Sequence, residues 1–218
     1  MNAIILAGGN NSRMEQNKAL LRLNGESLIV RIISRIREHF DKVIIVSDSL
    51  DSYADPVRNH VIPNSKTDIS NGVYSVSNNG VYLEKDLVKG RGPLGGIYSG
   101  LKTSSSFYNF FFACDLPFIN PELVELMKRE SSGYALTIPR TREGYFHPLH
   151  AIYSKECLPP IEEQFKKNIF KVANFFSKVK VNYIEEEEIE KFNPYLSFYN
   201  INTREDYNKA KRLIGGLD

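Results

Sequence analysis

An α/β fold, a doubly wound three-layer sandwich on a mostly parallel sheet, is predicted by three observations. Short apolar runs of strand length, residues 1–7, 43–46 and 110–114, are separated by a stretch with helical periodicity. The first run ends in Gly8-Gly9 and the third in Asp115, so turn and carboxylate chemistry falls at strand ends. With 218 residues, 42% hydrophobic and 25% charged, the composition is close to globular averages and excludes disorder, collagen-like repeats and a disulfide scaffold.

Run 1–7 reads as a fully buried strand feeding a glycine turn. From Ser27, a helix N-cap, Leu28, Ile29, Ile32, Ile33, Ile36 and Phe40 recur at helical spacing, with Arg31, Arg35, Arg37 and Glu38 on the wet side. Residues 43–46 form the next strand, and a right-handed crossover makes the pair parallel. The polar stretch 50–91, with Asn64, Asn71, Asn78 and Asn79, reads as loops with one short extra hairpin at most. A helix starts at 97–101, a strand covers 110–114, and Asn120-Pro121-Glu122 opens a helix with cap, N1 proline and first-turn acid. Strands follow at 134–138, 149–153 and 179–184, with helices around 155–166 and 169–176. Thr203 and Asp206 form a capping box for a last helix over 204–213, and the acids at 185–188 read as a solvated edge.

Lys+Arg 28 against Asp+Glu 26 leaves a formal charge of +2, too balanced for a partner held by massed positive charge, whether nucleic acid or membrane surface. No run reaches the roughly 18 apolar residues of a membrane span, and the N-terminus lacks a basic leader, so a cytoplasmic address is expected. Cys114 and Cys157 lie far apart without a CxxC or Cys/His companion and read as reduced structural thiols. One domain over 1–218 is expected, its N-terminal half for a nucleotide and its C-terminal half for an acceptor.

The segment LAGGNNSRM at 6–14, with Lys18 beyond it, carries the most chemistry. Gly8 and Gly9 let backbone N–H groups approach phosphate oxygens, and Arg13 and Lys18 add charged donors to the same space. No GxxxxGK[ST] occurs, so the cradle is not a Walker A loop. Gly90 to Gly95 satisfies GxGxxG in form only: the charged 84–89 does not read as a buried strand, and Pro93 stiffens the turn. Gly92, Pro93, Leu94 and the following glycines instead read as backbone lying close to a flat ligand such as a base.

Asp115, at a strand's carboxyl end, suits Mg²⁺, which takes one or two carboxylates plus water and substrate phosphates. Asn200 and Asn202, two residues apart, face one side if the strand persists, and their oxygens are candidates for the metal shell or for turn and cap bonds. His147 and His150 sit three apart around Pro148, which puts them on opposite faces of a strand and argues against a two-histidine metal site, leaving His147 alone as a substrate contact. No Ser/His/Asp or Cys/His arrangement stands out, and a phosphate nucleophile needs none.

These residues together resemble the MobA family, the molybdenum cofactor guanylyltransferases of the wider nucleotidyltransferase superfamily. The matching pieces are LAGGNNSRM with Lys18, LLRLNGESL at 20–28, GPLGGI at 92–97, ACDLPFI at 113–119, HPL at 147–149 and FYNINTREDY at 198–207, in family order. The resemblance implies a Rossmann-like nucleotidyltransferase fold, GTP and Mg²⁺ as ligands, and attack by the terminal phosphate of molybdenum-molybdopterin on the α-phosphate of GTP. It implies backbone contacts from Leu6, Ala7 and Gly8, phosphate binding by Lys18, and nucleotide and Mg²⁺ binding by Asp115. Arg13 matches the signature arginine and joins Lys18 and Asp115 as the catalytic candidates. Asn200 and Asn202 match the asparagines near metal and acceptor, and His147 is placed with them. Guanine recognition falls to Asp86, with Asn64 the alternative, and a second base contact to Ser47. Glu15 stands where the family has Gly, and the stretch before GPLGGI is longer than usual. Competing readings are a CTP-dependent or sugar-phosphate transferase, and a noncatalytic nucleotide-binding adaptor in cofactor delivery.

Overall fold

The computed structural model describes residues 1–8, 17–49, 52–53, 66–70, 73–77 and 80–215, with backbone alone for 66–70 and 73–77. Gly9, Arg13, Glu15 and Asn64 therefore lie outside the described residues.

Strand β1 (Asn2–Leu6) sends Ala3 and Ile5 into one apolar cluster and Ile4 and Leu6 into another, as the period of two requires. A small hairpin follows, β2 (Arg22–Leu23) and β3 (Glu26–Ser27), then helix α1 (Leu28–Ile36) and strand β4 (Val43–Ser47). A meander, β5 (Lys66–Ser70), β6 (Val73–Ser77) and β7 (Val81–Lys85), leads to α2 (Gly92–Thr103) and β8 (Tyr108–Ala113). Then come α3 (Pro121–Glu130), β9 (Leu136–Arg140), β10 (His150–Ser154), α4 (Leu158–Lys166) and β11 (Val181–Glu185). Short helices α5 (Glu186–Ile189) and α6 (Pro194–Ser197) precede the last helix, α7 (Arg204–Gly215).

The main sheet has nine strands in the order β11-β9-β10-β8-β1-β4-β7-β6-β5. Only β6 and β10 run against the others, so the sheet is mostly parallel in direction. Helices α1 and α3 cover one face through Ile29, Ile33, Leu123 and Met127, and α2 and α4 cover the other through Leu94, Ile97 and Ile161. This is the expected three-layer sandwich. Each fully buried aliphatic or Phe side chain in it contributes about 1.5–3 kcal/mol. In register, Leu6 pairs with both Val46 and Ala113, so β1, β4 and β8 end level and Gly8, Ser47 and Asp115 emerge along one edge. No helix among the described residues is long and apolar enough to cross a membrane.

Several expectations need correction. The 50–91 stretch holds three sheet strands, not one hairpin, and β7 is an inner strand parallel to β4, its Val81 and Leu83 fully buried. The stretch 84–89 holds no buried residue, as read, and the buried part of β7 lies just before it at Val81 and Leu83. Helix α2 begins at Gly92 rather than 97, because its glycines serve packing. A Cβ on Gly96 would meet Leu6 Cδ1 at 2.8 Å, and one on Gly100 would meet Ile4 Cγ2 at 2.7 Å and Phe111 Cε1 at 2.8 Å. Residues 172–178 form a 3₁₀ rather than an α-helix. The acids at 185–188 are not a bare solvated edge: Glu185 pairs with Arg140, Glu187 with Arg142, and Glu185 and Glu188 box the start of α5. Arg31 and Arg35 are not simply on the wet side, since they donate to the carbonyls of Pro117 and Ile119 at 3.1 and 3.2 Å. The Ser27 hydroxyl makes no capping bond, whereas Asn120 caps α3 and the Thr203–Asp206 box closes as expected. Both cysteines are free.

Because Ile4 and Phe111 are themselves fully buried, the chain has little room to yield at Gly100. Gly100→Ala should lower stability by about 1 kcal/mol net, overpacking exceeding the gain in helix propensity, as read from the denaturant midpoint.

Candidate functional site

Lys18 opens a 3₁₀ turn, Lys18–Leu20, whose N-cap Asn17 accepts from Ala19 N at 3.2 Å. That turn aims the Lys18 ammonium at the carboxyl edge of the sheet. Its Nζ donates to Asn202 Oδ1 at 2.8 Å and to Asp115 Oδ2 at 3.4 Å. Asp115 stands two residues past the end of β8, and its carbonyl accepts from Ile201 N at 3.0 Å, which draws the 200–202 segment alongside. The Lys18 and Asp115 side chains are only 18% and 17% exposed. Burial pushes the Asp115 carboxyl above its ordinary range, and Lys18 pulls it back down.

Two oxygen donors converging on one cation are the donor set a hard divalent ion takes when phosphates and water complete its shell, so Asp115 and Asn202 fit Mg²⁺. Among the described residues no group of three or more His, Cys, Asp or Glu forms a metal cluster, so such an ion depends on substrate oxygens as well.

At the exit of β1, the Ala7 carbonyl accepts from Tyr53 Oη at 2.7 Å and Ser47 Oγ at 3.2 Å, and Ala7 N donates to Val46 O at 2.9 Å. Leu6 O accepts from Cys114 N at 3.3 Å, so of the three implied backbone contacts only Gly8 stands exposed. Ser47 is buried, with its hydroxyl turned to Ala7 and Ser49 N. Asp86 lies next to it, donating its N–H to Ser47 O at 3.1 Å, while its Oδ1 accepts from Ser99 Oγ at 2.6 Å and Val88 N at 3.0 Å. Asp86 thus braces the approach to α2. Gly92, at φ +60°, and Pro93 are exposed at the first turn of α2, where free N–H groups favour an anion, but Leu94 is fully buried in the core and offers a ligand only backbone.

On the other side of Asp115 a cavity of about 760 Å³ opens, and His147, Asn200 and Asn202 all line it. Residues 198–203 form no strand, so the expected alternation does not place the asparagines; the Ile201–Asp115 bond does. The cavity walls add Phe198, Tyr195, Tyr199 and Lys209, which the sequence did not single out. Lys209 Nζ donates to Tyr195 Oη at 2.5 Å and lies over the Tyr199 ring. His147 stacks on Phe198 with centroids 4.0 Å apart, and burial lowers its pKa.

The two histidines do not point to opposite faces, because His147 lies in a turn outside β10. Both rings contact Phe198, and His150 also meets Phe110 and Phe112 edge-on. His150 is 1% exposed and neither ring nitrogen has a partner among the described residues. Burial first, and His147 second, push its pKa down to about 3.

Residues 3–174 match the family described as MobA-like NTP transferase domain. Similar relatives include a probable molybdenum cofactor guanylyltransferase of Pelotomaculum thermopropionicum, 35% identical over 95% of this chain and 90% of its own length. A molybdenum cofactor guanylyltransferase of Syntrophotalea carbinolica is 30% identical over 99% of this chain and 92% of its own. Among solved structures, molybdopterin-guanine dinucleotide biosynthesis protein A from Archaeoglobus fulgidus superposes with a TM-score of 0.76 over 99% of this chain and 100% of its own, at 24% identity.

A folded-state pKa near 3 against an unfolded value near 6.5 means that the neutral His150 supports folding fully above about pH 6.5 and progressively less as pH falls toward 3. His150→Leu should flatten that part of the stability-against-pH curve in denaturant titrations, while the wild type weakens steadily through it.

Proposed function

This chain belongs to the MobA-like NTP transferase family, and from that premise we propose that it transfers GMP from GTP to the phosphate of molybdenum-molybdopterin, releasing pyrophosphate. The names carried by relatives that align over nearly the whole chain support the substrates. The structural observation that carries the reading is the position of Asn202, which touches Lys18 on one side and lines the large cavity on the other. That position supports a meeting of nucleotide phosphate and acceptor phosphate beside it.

In this reading Gly8 N–H and the α2 first turn face the nucleotide, and Lys18 leaves its oxygen partners to neutralise its phosphates. Asp115 and Asn202 would then hold Mg²⁺, whose charge offsets that gathering on the phosphate oxygens when it is bound. The cavity receives the acceptor, its flat ring system against Tyr195, Tyr199 or the His147–Phe198 stack, and its phosphate toward Asn200 and Asn202. An acceptor phosphate oxygen forms the new bond to the α-phosphorus as the bond to the bridging oxygen breaks, and the electron pair leaves with pyrophosphate. The nucleophile is already anionic, so no side chain must take a proton, and the protein's work is alignment and charge balance. The division of the chain into a nucleotide half and an acceptor half follows the same line through Asp115.

Incubation of molybdenum-loaded cofactor with Mg²⁺ and each nucleotide in turn should give a guanine dinucleotide by mass, and a cytosine product instead would overturn the base assignment. GTP with Mg²⁺ should raise the melting temperature more than CTP or ATP. Asp115→Asn should abolish pyrophosphate release in a coupled assay without lowering the melting temperature, because burial already disfavours the charge it removes.

A further inference from the structure

Tyr53 lies in a part of the sequence that carries no motif, yet its side chain is 1% exposed and its hydroxyl is bonded on two sides. It donates to Ala7 O at 2.7 Å, at the exit of β1, and accepts from Asn17 Nδ2 at 2.7 Å. Asn17 in turn caps the Lys18–Leu20 turn, from which Lys18 reaches Asn202 and Asp115. We propose that Tyr53 is a positioning residue of the nucleotide site: its hydroxyl ties the end of β1 to the turn that carries Lys18, and so sets where the ammonium stands.

The inference rests on the reading of Lys18 as a phosphate ligand: Ala19 and Leu20 pack the turn against the core, and the Asn17–Tyr53–Ala7 bonds add the polar tie that joins it to the end of β1. Burial pushes the phenol pKa up to about 12, which keeps the hydroxyl a donor throughout the neutral range. Its loss would fall unevenly. The Ala7 carbonyl retains Ser47 Oγ at 3.2 Å, whereas Asn17 Nδ2 loses the partner that orients it, so the disturbance runs toward Lys18 rather than into the sheet.

Tyr53→Phe keeps the buried ring and removes only the hydroxyl. Calorimetric binding of guanosine 5′-[α,β-methylene]triphosphate, a non-transferable analogue, should weaken about tenfold in Tyr53→Phe and in Asn17→Ala alike. In turnover the KM for GTP should rise in parallel, while the KM for the acceptor stays within about twofold. The double variant should be no worse than Asn17→Ala, which cuts the same tie and also uncaps the Lys18 turn. Unchanged analogue binding in either folded single variant, or losses that multiply in the double variant, would overturn the proposal. A wild-type protein that binds no GTP analogue would remove the nucleotide reading itself, and this inference with it.

Discussion

The contact on which the site depends is that of one ammonium with two oxygens. Lys18, Asp115 and Asn202 come from distant parts of the chain, and each needs the others where they stand. A carboxylate as enclosed as that of Asp115 is disfavoured by desolvation, and a nearby cation offsets part of that penalty. The same Lys18, drawn toward a triphosphate, would leave Asp115 in need of a replacement cation. In the proposed reading nucleotide and divalent ion would bind as a pair, because either alone upsets the local charge balance.

The loop after Asp115 is held by groups from other elements. Arg31 and Arg35 project from α1 to the carbonyls of Pro117 and Ile119, and the Asp115 carbonyl is bonded to Ile201 N. The aspartate is therefore fixed by a helix on one side and by the C-terminal segment on the other. Such external bracing is what keeps a charged side chain in one geometry where the strand ladder has ended.

What the sequence disclosed depended on how many faces an element buries. Strands β1, β4 and β8 are covered on both sides and read as continuous apolar runs. Strand β7, Val81-Tyr82-Leu83-Glu84-Lys85, buries alternate residues and merges into its polar surroundings, so an inner strand was taken for loop. Glycines 95 and 96 read as loop because a sequence does not distinguish a glycine needed for a bend from one needed for close helix–sheet packing. The candidate site was legible in its types and spacing: Lys18, Asp115 and Asn202 meet, and His147 and Asn200 share one cavity with Asn202. Tyr53 and Lys209 were not legible, since their roles arise from contacts made across long sequence separations and follow no local pattern.

The reversed direction of β10 brings the His147 turn to the edge that carries Asp115. In a wholly parallel sheet every strand would enter from the far edge, and the turn leading into β10 would lie away from Asp115. Because β10 runs antiparallel to β8, its amino end and the preceding His147 turn lie at the edge where β8 delivers Asp115. Strands β9 and β11 run with β8, so Arg140 and Glu186, at and just after their carboxyl ends, reach the same edge and complete the cavity wall. A parallel sheet provides one crevice at its switch point. The opposed strand adds the cavity beside that edge, and Asn202 both lines it and accepts from Lys18. That geometry suits joining two phosphorylated substrates better than binding either one alone.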